Sequence, residues 1–454
     1  MTPLPGEGRP ARSPALATFF SFLWPGLGQL YVGARRSALI FGLPLLVILV
    51  VVALQALASP EGMLIGLFTP STALTVLILV VLLGVWRLIS MGDALTGTGR
   101  RGSWRRPVPI ATFALLALFV VSTHAAAASL AWSFYDAGKV IFVGVQDPDV
   151  APLPSLVVPS GGGSADPGVT PAPSEPVKPA RINILLTGID SDENRAHALN
   201  DTILVVSLDP TTGDLAMVSF PRDMSRLPMP NGKTYSGKIN SLMTYAAKHP
   251  KEYPEGGMMA LTKEVGYLLG APVDYYASVD LDGFRMLIDR VGGVTVNVQT
   301  AINDPYYGGW DTPGKIGFKI STGKHTLDGQ TALAFVRTRK SLGDSDFGRA
   351  RRQQQLLVAL QRKLIDPAML PNLPGLLKDA TKTLKTNFPP DRIAEVLDLA
   401  RKTDEAAIKK FVLGPPYSNH PTNLATYILI PDMERIAKLS IELFGADSRY
   451  AVSD

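Results

Sequence analysis

The sequence predicts an α/β protein: a three-layer α/β/α outer domain around a central mixed sheet, preceded by an all-α transmembrane region. Three observations carry this expectation. Nearly every long apolar run falls before residue 135, a Pro/Gly/Ser-rich stretch fills 136–180, and from 181 onward short β-rich runs alternate with amphipathic helical ones. The expected organisation is therefore a membrane region over 1–135, a linker over 136–180 and an outer domain over 181–454.

A chain of 454 residues, 46% of them hydrophobic, is long enough for more than one structural unit and at least one large core. The absence of cysteine excludes disulfides and thiolate metal sites. A net charge of +5 invites nucleic acid as a partner, but much of the basic excess flanks apolar spans, where topology explains it.

Three stretches, approximately 37–58, 63–89 and 108–132, match the roughly 20 residues needed to cross a bilayer. Arg35 and Arg36 precede the first; Arg100, Arg101, Arg105 and Arg106 lie between the second and third. The positive-inside rule puts both clusters in the cytoplasm and everything after about residue 135 outside. A multi-pass bacterial membrane protein with an extracytoplasmic C-terminal domain is expected. Three spans argue against a cleaved signal peptide. Ahead of them, 15–31 is apolar but broken by Pro25, Gly26 and Gly28, which reads as an interfacial or re-entrant anchor element. The Pro/Gly stretch lacks core-forming residues and reads as a spacer.

In the outer domain, strands are expected over 182–186, 202–208 and 215–220, the last after a turn at 210–214. A helix over 257–270 leads to a strand over 275–279, then to an amphipathic helix over 281–291 that Gly292 and Gly293 end. A strand over 294–298, a short helix near 328–335 and a long one over 346–365 follow. Residues 375–445 read as helical and amphipathic, with a strand-like patch at 426–430; 366–454 is expected to complete the catalytic domain.

The densest charge lies at 335–355, FVRTRKSLGDSDFGRARRQQQ, in a chain only 18% charged. In an extended segment Arg337 and Arg339 would leave the same face, and two forked cations side by side suit a phosphate or pyrophosphate. Lys340, Arg351 and Arg352 read as solvated surface, and Lys324 as outside the cluster. Upstream, Asp190 ends the first strand and Asp201 opens the second; Arg222 and Arg226 follow the third, and Lys238 opens a helix. Each alone reads as a turn, cap or surface pair. Together they offer carboxylates for a hard cation such as Mg2+ and arginines for phosphate charge.

The order of these strings resembles the LytR-CpsA-Psr family of cell-envelope phosphotransferases. The matching segments are NILLTGID (183–190), NDTILVVSLDP (200–210), FPRDMSR (220–226), GKIN (237–240), the run over 273–298, HTLDGQTALAFVRTRK (325–340) and DFGRARRQQQ (346–355). The resemblance implies magnesium-dependent transfer of a glycan phosphate from a polyprenyl-pyrophosphate carrier to peptidoglycan, as in attachment of teichoic acids or capsules. It implies Asp190 and Asp201 as magnesium-binding or base-providing carboxylates, with Asp201 the first choice of base. Arg222, Arg226, Arg337, Arg339 and Gln353 would grip the pyrophosphate, with Lys238 and Arg349 at the same pocket. A polyprenyl tunnel within the sheet–helix core is implied too; the apolar strands and the helix over 257–270 are candidates to line it, with ordinary core the stronger reading at any one position. One departure is that Ala198, Leu199 and Asn200 stand where many members carry an arginine before the Asp-Thr pair; Arg195 is a candidate substitute, and whether it takes that place is not legible in the sequence. The rival readings are a polyprenyl-pyrophosphate hydrolase and a non-catalytic lipid-carrier-binding regulator. The glycan, the acceptor sugar and the oligomeric state are not encoded legibly.

Overall fold

A computed structural model describes residues 12–58, 60–97, 103–142, 181–190, 199–308, 316–424 and 426–451. The chain divides into two compact units, Met1–Gly138 and Lys139–Asp454. Most of the expected linker, and Arg195, lie outside the described residues.

The first unit is helical: α1 Pro14–Leu23, α2 Leu27–Val32, α3 Arg35–Ala58, α4 Pro60–Gly66, α5 Pro70–Thr96 and α6 Pro107–Ile141. Of these, α3, α5 and α6 are long and apolar enough to cross a membrane. The second span starts later than hydropathy suggests, because Pro70 at the first helical position opens a new helix after α4. The broken element over 15–31 becomes α1 and α2. Between them, Gly26 takes φ 100°, and a Cβ on Gly28 would meet the Ala17 carbonyl oxygen at 2.1 Å. Gln29 is fully buried there: it accepts from Ser21 Oγ (2.9 Å) and donates to the Ser90 carbonyl (2.8 Å) and Asp93 Oδ2 (3.0 Å). That internal satisfaction is what an apolar surrounding demands of a polar side chain.

The second unit opens with β1 Ile182–Asp190, β2 Leu199–Leu208 and β3 Leu215–Ser219. The hairpin β4 Ser225–Pro228 and β5 Thr234–Lys238 leads to α7 Ile239–Ala247, α8 Gly256–Leu269 and β6 Tyr275–Asp280. Next come α9 Leu281–Arg290, β7 Val294–Val298, β8 Ile302–Gly308, β9 Ile316–Ile320 and β10 Gly323–Leu327. The rest comprises α10 Gly329–Arg337, α11 Asp346–Leu364, α12 Leu373–Thr383, β11 Leu384–Thr386, α13 Ile393–Lys402, β12 Lys409–Val412, β13 Ser418–Asn419, β14 Ile430–Pro431 and α14 Met433–Phe444.

The central sheet is mixed, in the order β11-β6-β1-β2-β3-β12. Its neighbours β1/β6 and β3/β12 run parallel; β1/β2, β2/β3 and β6/β11 run antiparallel. Strand alternation sorts the core into two faces. Leu185, Val205 and Val218 pack with α7, α8 and α14, whereas Leu204, Leu208 and Met217 point the other way, toward α11 and α13. This is the expected three-layer arrangement.

Two expectations need correction. The strand over 294–298 forms, but among the described residues it pairs only with β10, away from the central sheet. Residues 375–445 are less helical than their amphipathicity suggests, since β11 and β12 supply both edges of the sheet.

Candidate active site

The site grows from irregularities at strand ends. Ile189 pairs with Asn200 and Gly188 with Thr202, so Asp201 is the extra residue of a β-bulge. Bulges re-aim side chains. Here the flanking residues stitch the bulge in place: fully buried Asn200 donates to Thr187 Oγ1 (2.7 Å), and Thr187 donates to the Thr202 carbonyl (2.8 Å). The Asn-Asp-Thr string is thus one hydrogen-bonded device that presents Asp201.

Arg222 comes from the loop after β3 and donates to Asp201 Oδ1 at 2.7 Å. Burial alone would lower the pKa of its guanidinium, but the charge and hydrogen bond of Asp201 win and the net direction is upward. Arg337 ends α10 and donates to Asp190 Oδ2 at 3.0 Å; the same nitrogen is 3.6 Å from Asp201 Oδ2. Arg337 therefore closes a helix instead of lying in an extended segment, and Thr338 turns the chain before Arg339. The side chains part accordingly: Arg337 faces the two strand-end aspartates, whereas Arg339 lies 3.7 Å from Asp346.

Two further carboxylates, Asp223 and Asp346, complete the network. Asp223 pairs with Lys238 and lies 3.7 Å from Arg222. Asp346, in the first turn of α11, is 3.3 Å from Arg349. Burial raises the pKa of Asp346 despite the opposing charges of Arg349 and Arg222. Buried Arg349 is shifted the other way, down, also by burial. Both aspartates stand inside strings that carry the family resemblance, which was the available signal.

Gln353 donates to the Val336 carbonyl at 3.3 Å, which ties α11 to the last turn of α10. Arg226 is exposed, takes φ 55° and makes no ion pair among the described residues, so it stands apart from the network. Arg351 and Lys340 are exposed as expected, but Arg352 is not solvated surface. It donates to the Phe335 carbonyl (2.7 Å) and the Thr338 carbonyl and pairs with Asp344 at 2.9 Å. Helical spacing puts it one turn from Arg349, on the side that meets α10.

Beside these charges lies a cavity of about 260 Å³ between the sheet and α9 to α12. Leu186, Leu204, Ala277, Phe284, Leu356 and Leu376 are among its apolar walls, while Asp201, Arg337, Arg349 and Gln353 border it with polar groups. Of the two readings of α8, tunnel wall or ordinary core, the second holds. Leu261, Val265, Leu268 and Leu269 of α8 are fully buried in the core on the opposite face of the sheet.

For Mg2+, the residues fit. Asp190 and Asp201 both face one nitrogen of Arg337, at 3.0 and 3.6 Å, so the hard oxygen donors that magnesium prefers are gathered on one side of the site. No cluster of three or more acidic or histidine side chains suited to a metal occurs among the described residues. The other positions around a hard cation would fall to phosphate oxygens and water, the usual arrangement for magnesium.

Comparison with known proteins adds four findings. The family model described as the LytR_cpsA_psr family matches residues 170–444. The chain is 30% identical over 269 residues to polyisoprenyl-teichoic acid--peptidoglycan teichoic acid transferase TagV of Bacillus subtilis, covering 58% of this chain and 64% of the relative. It is 30% identical over 208 residues to the TagU transferase of Bacillus licheniformis, covering 46% and 60%. The match therefore spans less than two thirds of these curated relatives' length. The crystal structure of B. subtilis TagV aligns with 58% of this chain and 96% of its own, at 25% identity and a TM-score of 0.45.

Proposed function

The chain belongs to the LytR-CpsA-Psr family, and from that premise we propose that it transfers a glycan phosphate from a polyprenyl-pyrophosphate carrier to peptidoglycan. One observation carries this reading. Asp201, Arg337, Arg349 and Gln353 border the apolar cavity and also belong to, or adjoin, the network of arginines and carboxylates. A hollow that is greasy within and cationic at its rim matches a ligand with a hydrocarbon tail and a phosphate head. The transferase names of TagV and TagU point to the same chemistry.

In this reading the tail occupies the cavity and the pyrophosphate lies over Arg222, Arg337, Arg339, Arg349 and Gln353, with Lys238 and Arg226 reaching it from the β4–β5 side. Asp190, Asp201, Asp223 and Asp346 balance Arg222, Lys238, Arg337, Arg339 and Arg349 and keep them in place. A peptidoglycan hydroxyl attacks the glycan-proximal phosphorus. The new O–P bond forms, the bond to the polyprenyl phosphate oxygen breaks, and the hydroxyl proton passes to the Asp201 carboxylate. Arg222 and Arg337 fix Asp201 and stabilise charge that grows on the phosphoryl oxygens. Bound at Asp190 and Asp201, Mg2+ would supply further charge neutralisation on the phosphates. The outer face of the membrane, where carrier lipid and wall meet, is the proposed place of reaction.

The test is a transfer assay with purified full-length protein, a lipid-linked glycan donor and peptidoglycan. Glycan-phosphate linked to peptidoglycan supports the proposal. Release of phosphorylated glycan at the same rate with and without acceptor would mean a hydrolase. Donor binding without turnover would mean a lipid-carrier-binding regulator.

A further inference from the structure

We propose that Asp304 is a positioning residue for the arginine pair Arg337 and Arg339, acting through the backbone between α10 and α11. Its consequence for catalysis rests on the function proposed above; its form rests on geometry alone. Asp304 lies on β8, is 2% exposed and makes none of the ion pairs that hold the site together. A buried carboxylate is costly unless hydrogen bonds satisfy it. Asp304 Oδ2 accepts from Thr338 Oγ1 at 2.6 Å, from Lys340 N at 3.1 Å and from Arg339 N at 3.4 Å. Its other oxygen accepts from Tyr306 N at 3.1 Å. Three of these four bonds go to the three residues that follow Arg337. The adjacent Asn303 N adds a fourth tie to the segment, donating to Ser341 Oγ at 2.9 Å.

The opposite flank of the same segment is held by donors. Arg352 donates to the Phe335 and Thr338 carbonyls, and Gln353 donates to the Val336 carbonyl. Residues 335–341 are therefore clamped from both sides, an acid taking N–H and O–H groups and α11 taking carbonyls. The need for a clamp follows from what the segment carries. Arg337, Arg339 and Lys340 are like charges within four residues, and their mutual repulsion favours an open, mobile turn. A buried carboxylate bonded to the backbone opposes that repulsion without occupying either guanidinium. Arg337 stays on Asp190 and Arg339 stays beside Asp346, both available for exchange onto phosphate.

The test uses full-length protein in detergent, with affinity for a long-chain polyprenyl pyrophosphate and transfer kinetics as separate readouts. Asp304→Ala is expected to lower transfer by about 100-fold, the effect of misplacing reacting groups by around an ångström. Asp304→Asn keeps one carbonyl acceptor and is expected to recover part of that loss. Thr338→Val, which removes only the shortest bond, is expected to cost about tenfold. Combined with Arg339→Ala, the Asp304→Ala loss should be strongly non-additive, because both act on the same grip. Losses that simply add, or an Asp304→Asn protein that binds and transfers within about threefold of wild type, would overturn the assignment. If wild type binds the pyrophosphate but transfers nothing, the functional proposal fails while the binding series still decides the role of Asp304.

Discussion

Arg337, on the last turn of α10, donates to Asp190, the last residue of β1, across 3.0 Å and 147 positions of sequence. The pair is mostly buried, so its parts are not interchangeable with solvent. Removing the cation leaves Asp190 and Asp201 facing each other and strips the pyrophosphate site of a forked donor. Arg337→Ala is therefore expected to lower transfer by about 1,000-fold or more. Arg337→Lys keeps the charge but not the fork and should retain only a few per cent of activity. Transfer at near wild-type rate by Arg337→Ala, measured with a lipid-linked donor, would contradict the proposed grip.

The two carboxylates also carry a metal prediction. Chelation is expected to abolish transfer and added Mg2+ to restore it. Asp190→Asn should raise the Mg2+ concentration for half-maximal rate about tenfold or more, since one charged ligand is lost. A magnesium titration of both proteins checks this; identical half-saturation points would remove Asp190 from the metal site.

Much of this site was legible because the family strings fall at strand and helix ends, where a sheet protein gathers ligand-binding groups. Asp201 and Arg222 sit in such strings, and the bulge and loop that present them are local. Asp304 carried no comparable signal. Three of its four partners lie 34 to 36 residues away, two of them backbone N–H groups, which no side-chain pattern encodes. Arg352 was misjudged for a related reason: a helical arginine reads as solvated until the neighbouring carbonyls that receive it are known. The edge strands β11 and β12 were missed because Leu-Lys-Thr and Lys-Lys-Phe-Val are too short and too basic to show alternation.

The cavity predicts a chain-length effect. Ala277 of β6 lies on its wall, and a larger side chain there fills space instead of displacing core. Ala277→Phe should raise KM for a long-chain donor about tenfold, leave a short-chain donor within about twofold, and leave the unfolding temperature nearly unchanged. Equal effects on both donors would show that the tail is not housed in this hollow.

Glu264 gives the protein a pH-dependent stability independent of catalysis. It is 1% exposed in α8, and neither carboxylate oxygen has a hydrogen-bond partner among the described residues. Burial pushes its pKa up to about 8, the charge of Arg449 offsetting only part of that. Between the ordinary value of 4.5 and about 8, the folded state holds a proton that the unfolded state has released. Stability must then fall as pH rises through that window and level off above it, because the unfolded state binds fewer protons there. Glu264→Gln removes the titration while keeping the shape. The variant is expected to unfold about 5 °C above wild type at pH 9 and within about 1 °C of it at pH 5. Scanning calorimetry of the two proteins across this range measures the difference; a gap that does not widen with pH would mean that Glu264 is charged in the folded state.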